Sequence, residues 1–401
     1  NITMNKKPLT KKNIFKFFKK LKRIKLNSEL LNILHSNQRI LSEDLKSKIN
    51  LPPFNNSAVD GYAILNSDNK IGVKLVCKRR IAAGEDKNIK IRKGEAIRIF
   101  TGAKMPINSS TVIMQENVKK YNDKIIINRA PNIGANHRIK GEDIKNNKLI
   151  LKKGNKIDFT NLNLLAAAGI NKVKVYKKIK IGYFTSGNEL RKPKIKLKGS
   201  EINNSNYYSL NNFLNNSSVN SLYCGNLKDS FNFIEKKLYT CSKKFNLIIT
   251  TGGASVGEED HLIGVINKLG EIFFWKAAIK PGRPIALGKI NDCYIVCLPG
   301  NPVSVQLLYG FLVKPLINYL SGGDLLLPKP QKIKVNFNMH KKTKRLEWLR
   351  VKKNIRNLEF VAEKYPKQGS GMISSMAYSD GIIEIPESVS KIKSGEIYDY
   401  Y

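Results

Sequence analysis

Ile248-Ile-Thr-Thr-Gly-Gly-Ala-Ser-Val-Gly-Glu-Glu-Asp260-His261 is the stretch around which the rest of the chain can be read. Leu247–Thr251 is short, apolar and β-branched, the pattern of a buried strand. Gly252, Gly253 and Gly257 then call for a tight turn, and Leu262, Ile263 and Ile266 fall at helical spacing beyond it. A strand, a glycine loop and a helix N-terminus together favour anions, because free N–H groups and the helix dipole point at the loop. Glycines let the backbone come close to a phosphate. Gly252, Gly253, Ser255 and Gly257 are therefore candidate phosphate contacts, and Asp260 is a carboxylate that can hold Mg²⁺ against that phosphate. On this pattern alone the loop is equally an ordinary βα turn.

The flanking segments decide between the two. The strand Lys178–Phe184 runs into Thr185-Ser-Gly-Asn-Glu-Leu190, where Thr185 and Ser186 suit an anion and Glu189 a metal or a hydroxyl. A short strand at Leu222–Cys224 and a helix over Asp229–Cys241 continue the alternation, which implies a mostly parallel sheet with right-handed crossovers. Ligands on such sheets sit at the carboxyl ends of the strands, so the Thr185 and Gly252 loops share one rim. Phe274-Trp-Lys-Ala-Ala-Ile-Lys-Pro-Gly-Arg-Pro284 reads as an extended segment carrying Lys276, Lys280 and Arg283, three cations suited to an oxyanion. Tyr294-Ile-Val-Cys-Leu-Pro-Gly-Asn-Pro-Val-Ser304 is a second strand–loop–helix site, with Asn301 at the N-cap, Pro302 at N1 and an apolar helix to about Tyr319.

Ahead of this α/β unit, Ile14, Phe15, Phe18, Leu21 and Ile24 lie on one helical face. A second helix is predicted from Ser28 through His35, and a third capped at Ser42. Pro52-Pro53 marks a boundary and opens a polar loop containing Asp60. From Lys70 to Asn128 the pattern is of short strands: Val73–Cys77, Ile89–Ile91, Ala96–Phe100, Thr111–Met114 and Lys124–Ile127. Arg98-Ile-Phe-Thr-Gly-Ala103 ends one of them in a turn where Thr101 offers a hydroxyl; a plain turn fits as well. Asn136-His-Arg-Ile-Lys-Gly-Glu-Asp143 follows, and His137 has no partner histidine at metal spacing. A helix over Asn161–Ala168 ends at Gly169. Beyond the linker at 321–330 the chain is β again, with a polar loop and short helix at 368–376.

The 401 residues suggest about three domains. Lys and Arg number 71 against 31 Asp and Glu, a net charge of +40. The excess is spread along the chain and accompanies many Asn and Ile, residues that share A/T-rich codons with Lys. It is read as a solvated surface, not as a nucleic-acid interface, although it steers anionic ligands. Leu307–Leu320 is short and broken by Lys314 and Pro315, so no membrane span is expected. Lysines interrupt the N-terminal apolar residues, against a secretory signal. Five cysteines without a CxxC pattern indicate neither disulfides nor zinc and point to the cytoplasm.

Taken in order, Pro52-Pro-Phe-Asn-Asn-Ser-Ala-Val-Asp-Gly-Tyr-Ala63, Arg98–Ala103, Gly141-Glu-Asp-Ile144, Thr185–Leu190, Asn203–Tyr207, Gly252–Gly257 with Asp260, Trp275–Pro284, Leu298–Ser304 and Gln368-Gly-Ser370 resemble the molybdopterin molybdenumtransferases, relatives of the C-terminal domain of gephyrin. The resemblance covers nearly the whole chain. It implies an elongated four-domain homodimer of α/β and β units: a helical linker and dimerisation domain (1–51 with 139–177), an inserted small β domain (52–138), an α/β molybdopterin-binding domain (178–326) and a C-terminal β domain (327–401). It implies insertion of molybdate into adenylylated molybdopterin with release of AMP, dependent on Mg²⁺ or a similar divalent cation, downstream of a molybdopterin adenylyltransferase. Carried over by position, Asp260 and Glu189 handle metal and pterin, while Lys276, Lys280 and Arg283 bind oxyanions. Ser304, Pro299 and Pro302 shape the molybdate pocket, with Ser370 among the substrate contacts. Asp60, Thr101 and Asp143 close the cleft from the partner subunit.

The sequence departs from the family pattern in three places: Asn55 stands where Asp is usual, Ala254 replaces Val, and a glycine common just before Arg345-Leu-Glu-Trp-Leu-Arg350 is missing. The rival readings are a gephyrin-like scaffold without turnover, which loss of Asp260, Glu189 or the lysines would signal, and a stand-alone adenylyltransferase, which needs only the α/β unit.

Overall fold

The computed structural model describes residues 7–86, 88–215, 218–253, 261–356 and 358–401. At its centre lies a six-stranded sheet ordered Val219–Leu227, Ile179–Ser186, Leu247–Thr251, Cys293–Leu298, Ala286–Ile290 and Glu271–Trp275. The first four strands are parallel, as the βα alternation implies, and Ala286–Ile290 runs antiparallel to both its neighbours. Leu247–Thr251 is buried at every position, which is why it reads as an unbroken apolar and β-branched run.

Helices cover both faces. One core holds Ser205–Leu214 and the long helical run Pro302–Leu320; the other holds Phe231–Ser242 and His261–Leu269. By composition Pro302–Leu320 is long and apolar enough to cross a membrane, but 78% of it is buried inside the fold. The helix expected to about Tyr319 runs on through Pro315 to Leu320. The helix takes a π turn at Tyr309–Val313, where the Lys314 N–H donates to the Tyr309 carbonyl and loosens the spacing just ahead of the proline.

The amphipathic segment at the N-terminus forms a helix over Lys11–Phe18, capped by the Thr10 side chain. It packs into the α/β core: Ile14, Phe15, Phe18 and Leu21 are buried there. Each such side chain contributes about 1.5–3 kcal/mol of burial. Two of the predicted helices are absent. Ser28–Asn32 is a strand paired antiparallel with Lys172–Tyr176, leaving only a 3-10 turn at Ile33–His35. The segment after Ser42 is irregular up to a two-residue strand at Leu45–Lys46, and Asp44 accepts from the Lys153 N–H instead of starting a helix. Non-local pairing overrides local helical spacing in both places. The helix predicted near Asn161 spans Phe159–Ala167, with a reciprocal capping box between Asp158 and Asn161.

The inserted unit is a six-stranded sheet in the order Thr111–Met114, Gly61–Ile64, Glu95–Ile99, Lys74–Ile81, Lys124–Ile127 and Val118–Tyr121, with apolar clusters on both faces. Ile89–Ile91, expected as a strand, makes a single bridge at Lys90. The C-terminal sheet closes on itself, because Leu346–Arg356 pairs with both Glu359–Lys364 and Gly381–Ile385. It is joined to the α/β unit by the two-residue strand Ile279–Lys280, which pairs parallel with Leu346 and Glu347. Leu346, Trp348 and Ile382 belong to the α/β core as well.

Candidate active site

Four parallel strands end on one rim, and the loops that leave them line a cleft of about 470 Å³. Ser186, Gly187 and Glu189 follow Ile179–Ser186; Asp229 follows Val219–Leu227; Gly252 and Gly253 follow Leu247–Thr251; Pro299–Pro302 follow Cys293–Leu298. Asn203–Asn206 form the remaining wall, and Asn206 donates to the Gly300 carbonyl at 2.7 Å, tying two loops together. Gly252 donates its N–H to the Leu298 carbonyl, so that group is satisfied within the protein. What demands glycine there is loop packing. At a φ of +83° an added Cβ would lie 2.6 Å from the Ser186 carbonyl oxygen. Gly252→Ala is expected to cost about 2 kcal/mol of stability and to distort the rim; an unchanged denaturation midpoint would contradict this. Ser255, Gly257 and Asp260, together with Ala254, lie outside the described residues.

Thr185 is fully buried and does not line the cleft. Its hydroxyl meets Tyr223 Oη at 2.8 Å and accepts from Asn204 at 2.9 Å, so it supports the rim from behind. Asn301 starts its helix as expected, but its side chain makes no cap bond and donates to Ser370 Oγ of the C-terminal domain at 3.0 Å.

A second cavity, about 230 Å³, adjoins the first and shares Pro284, Pro299 and Asn301 with it. Lys280, Arg283, Ser304 and Ser370 line it, as do Arg345, Glu347 and Arg350. Lys276 lies outside both linings; its ammonium sits 4.1 Å from the Trp275 ring centroid. Arg350 is 1% exposed and donates to Ser375 Oγ and to the Trp348 and Gly369 carbonyls. Burial lowers its pKa to about 10, with Glu347 opposing, and it remains a cation at neutral pH.

Asp60, Thr101 and Asp143 line neither cavity. Asp60 and Thr101 find each other instead: Thr101 donates both its N–H, at 2.8 Å, and its hydroxyl, at 2.9 Å, to Asp60 Oδ1. These bonds, backbone first, hold the Asp60 carboxyl below its ordinary range. A group depressed in this way contributes above its unfolded pKa and loses that contribution as pH falls through its folded one. Thr101→Val keeps the stronger backbone bond and is expected to move the Asp60 titration partway up, read by carboxyl-carbon NMR; an unmoved titration would refute the clip. Asn55 accepts from the Lys140 N–H at 2.8 Å, a role that needs no charge.

Residues 11–169 match the MoeA N-terminal region (domain I and II), 182–319 a probable molybdopterin binding domain, and 332–401 the MoeA C-terminal region (domain IV). The chain is 34% identical over 372 residues to the molybdopterin molybdenumtransferase of Haemophilus influenzae, covering 92% of each. The chain belongs to the MoeA family. Its fold follows suit: MoeA structures from Pyrococcus horikoshii superpose with TM-scores of 0.82 at 26% identity and 0.75 at 30%, covering 98% of this chain and 99% and 98% of theirs. The Staphylococcus epidermidis molybdopterin molybdenumtransferase is 28% identical over 92% of the chain and 90% of its own length.

Sequence reading of this MoeA-family chain missed Asp229, Arg345, Glu347 and Arg350. Asp229 was available from the rim rule, since it lies two residues beyond the end of a parallel strand. The other three come from the C-terminal sheet, whose approach to the α/β rim carries no local sequence signal.

Two carboxylates, Glu189 and Asp229, open onto the larger cleft, and among the described residues no group of three or more His, Cys, Asp or Glu is placed to hold a metal. That donor set fits Mg²⁺, which uses one or two carboxylates and takes its other ligands from phosphate and water. Cysteine chemistry does not fit: none of the five cysteines lines either cavity, and burial raises the thiol pKa values of Cys77, Cys224 and Cys293, the last two to about 12.

Proposed function

We propose that this chain inserts molybdate into adenylylated molybdopterin, forming molybdenum cofactor and releasing AMP. The observation that carries the reading is the pairing of two joined cavities: a roomy one with carboxylates and loop ends, and a small one with Lys280, Arg283, Arg345 and Arg350. The larger takes the pterin nucleotide, and the smaller takes the oxyanion. Family membership and the names of its relatives support the same assignment.

The chain's own residues bind and orient. Guanidinium and ammonium donors offset the oxyanion's charge while the dithiolene sulfurs approach, and they are fixed before substrate arrives, which is what gives such groups their effect. Ser186 and the backbone beside Gly253 hold the nucleotide end. Glu189 and Asp229, with Asp260, would hold Mg²⁺, which supplies positive charge to the leaving phosphate. Protein nucleophiles are not required.

The active unit in this proposal is a homodimer. Asp60, Thr101 and Asp143 sit away from the cleft of their own chain, and a second copy would bring the same residues to it. The adenylylated substrate is supplied by an adenylyltransferase acting upstream. Purified chain given adenylylated molybdopterin, molybdate and Mg²⁺ is expected to release AMP. Equal release without molybdate would point to simple hydrolysis and against the proposal.

A further inference from the structure

The small cavity contains one group that does not belong in a pocket built for anions. Glu347 is 7% exposed and sits in the wall among Lys280, Arg283, Arg345 and Arg350. Its position is fixed twice: Lys280 pairs with Glu347 across the interdomain strand, and the Lys280 ammonium donates to Glu347 Oε1 at 2.8 Å. Two further charged groups lie close by. Lys341 donates to the Arg345 carbonyl and feels both Glu347 and Glu387, while Glu384 on the neighbouring strand takes Trp348 Nε1 and Lys11.

A pocket made only of donors would take any tetrahedral dianion alike. A fixed carboxylate changes this, because it can only accept. Lys280 engages one carboxylate oxygen, and an oxyanion with four bare oxygens still meets the carboxylate as an acceptor of like charge at short range. An oxyanion carrying one proton meets it with a charge-assisted hydrogen bond. Placing an unsatisfiable group against the wrong ligand is how binding sites gain specificity.

We propose that Glu347 makes oxyanion capture proton-coupled and thereby selects a basic oxyanion such as molybdate over sulfate. One proton comes from solvent onto an oxygen of the oxyanion and bridges to the Glu347 carboxylate; no other bond forms or breaks. Sulfate is the weaker base of the two, so the protonated form that the site accepts is scarcer for it. This inference rests on the assignment of the small cavity to the oxyanion. Glu347 is thus a specificity-determining residue that also positions Lys280.

The test uses inorganic molybdate and sulfate with the full chain, and reads affinity and proton uptake by calorimetry in buffers of differing ionisation enthalpy between about pH 6 and 8. Wild type is expected to take up about one proton per molybdate and to bind about tenfold tighter per pH unit of acidification. Glu347→Gln can donate to a bare oxygen, so its slope should fall toward zero and its preference for molybdate over sulfate should shrink by about tenfold or more. Glu347→Asp keeps an acceptor and should keep the slope. A slope that persists in Glu347→Gln overturns the inference. So does equal weakening of both anions with an unchanged slope, which is what a purely positioning role predicts. Should Glu347→Gln not fold, a wild-type proton count near zero overturns it alone. Absence of any molybdate binding to folded wild type overturns the cavity assignment and this inference with it.

Discussion

Arg350→Met is expected to lower molybdate-dependent AMP release by about 100-fold or more, the scale seen when one preorganised donor to a developing anion is removed. Arg350 is the most deeply buried cation in the oxyanion pocket, and its guanidinium joins three neighbours at once. Methionine fills similar space but leaves the Trp348 and Gly369 carbonyls without that donor. A buried group left unpaired costs about 1–3 kcal/mol, so a modest loss of stability should accompany the loss of turnover. Arg350→Lys separates the two effects. It restores the charge without the planar fork that reaches several acceptors, and it should recover only part of the rate. Activity of Arg350→Met within about threefold of wild type would remove Arg350 from the reaction.

Trp348→Ala should have the largest effect on stability, about 3–5 kcal/mol. Trp348 is fully buried and stacks on Phe311 of the long helical run, with ring centroids 4.5 Å apart and planes 18° from parallel. Its indole N–H donates to Glu384 Oε2 at 2.8 Å. The side chain therefore belongs to the C-terminal sheet by its backbone and to the α/β core by its ring. Its loss should loosen the docking that carries Arg345, Glu347 and Arg350 to the rim. Chemical denaturation followed by tryptophan-independent probes should show an early transition for the C-terminal domain. A single transition with an unchanged midpoint would show that the two domains are held together by other contacts.

These two residues mark the limit of what could be read from the chain. The α/β unit was legible because its signals are local. Leu247–Thr251 is apolar throughout, Pro302 sits at a helix start, and Gly252 takes a positive φ that few other residues tolerate. Strand ends on a parallel sheet then place the loops by topology alone, which brought Ser186, Glu189, Gly252 and Pro299 to one cleft. Ser28–Asn32 went wrong for the opposite reason. Its spacing suits a helix, and only the remote strand Lys172–Tyr176 makes it a strand. Arg350 and Glu347 were invisible in the same sense. A strand over Leu346–Val351 was expected, but nothing local says that its first residues pair with Ile279–Lys280 of another domain. Thr185 is a hydroxyl at a strand end, a position that suggests a ligand contact, and in the fold Tyr223 and Asn204 engage it.

The proposal that this chain couples loss of AMP to gain of molybdenum is tested most directly by counting both products in one reaction. Adenylylated molybdopterin, molybdate and Mg²⁺ are supplied to the purified chain, and AMP released is compared with molybdenum bound to pterin. The account predicts equal amounts of each, with neither formed when molybdate is left out. AMP in excess of transferred molybdenum, or no AMP from the folded protein, would contradict it.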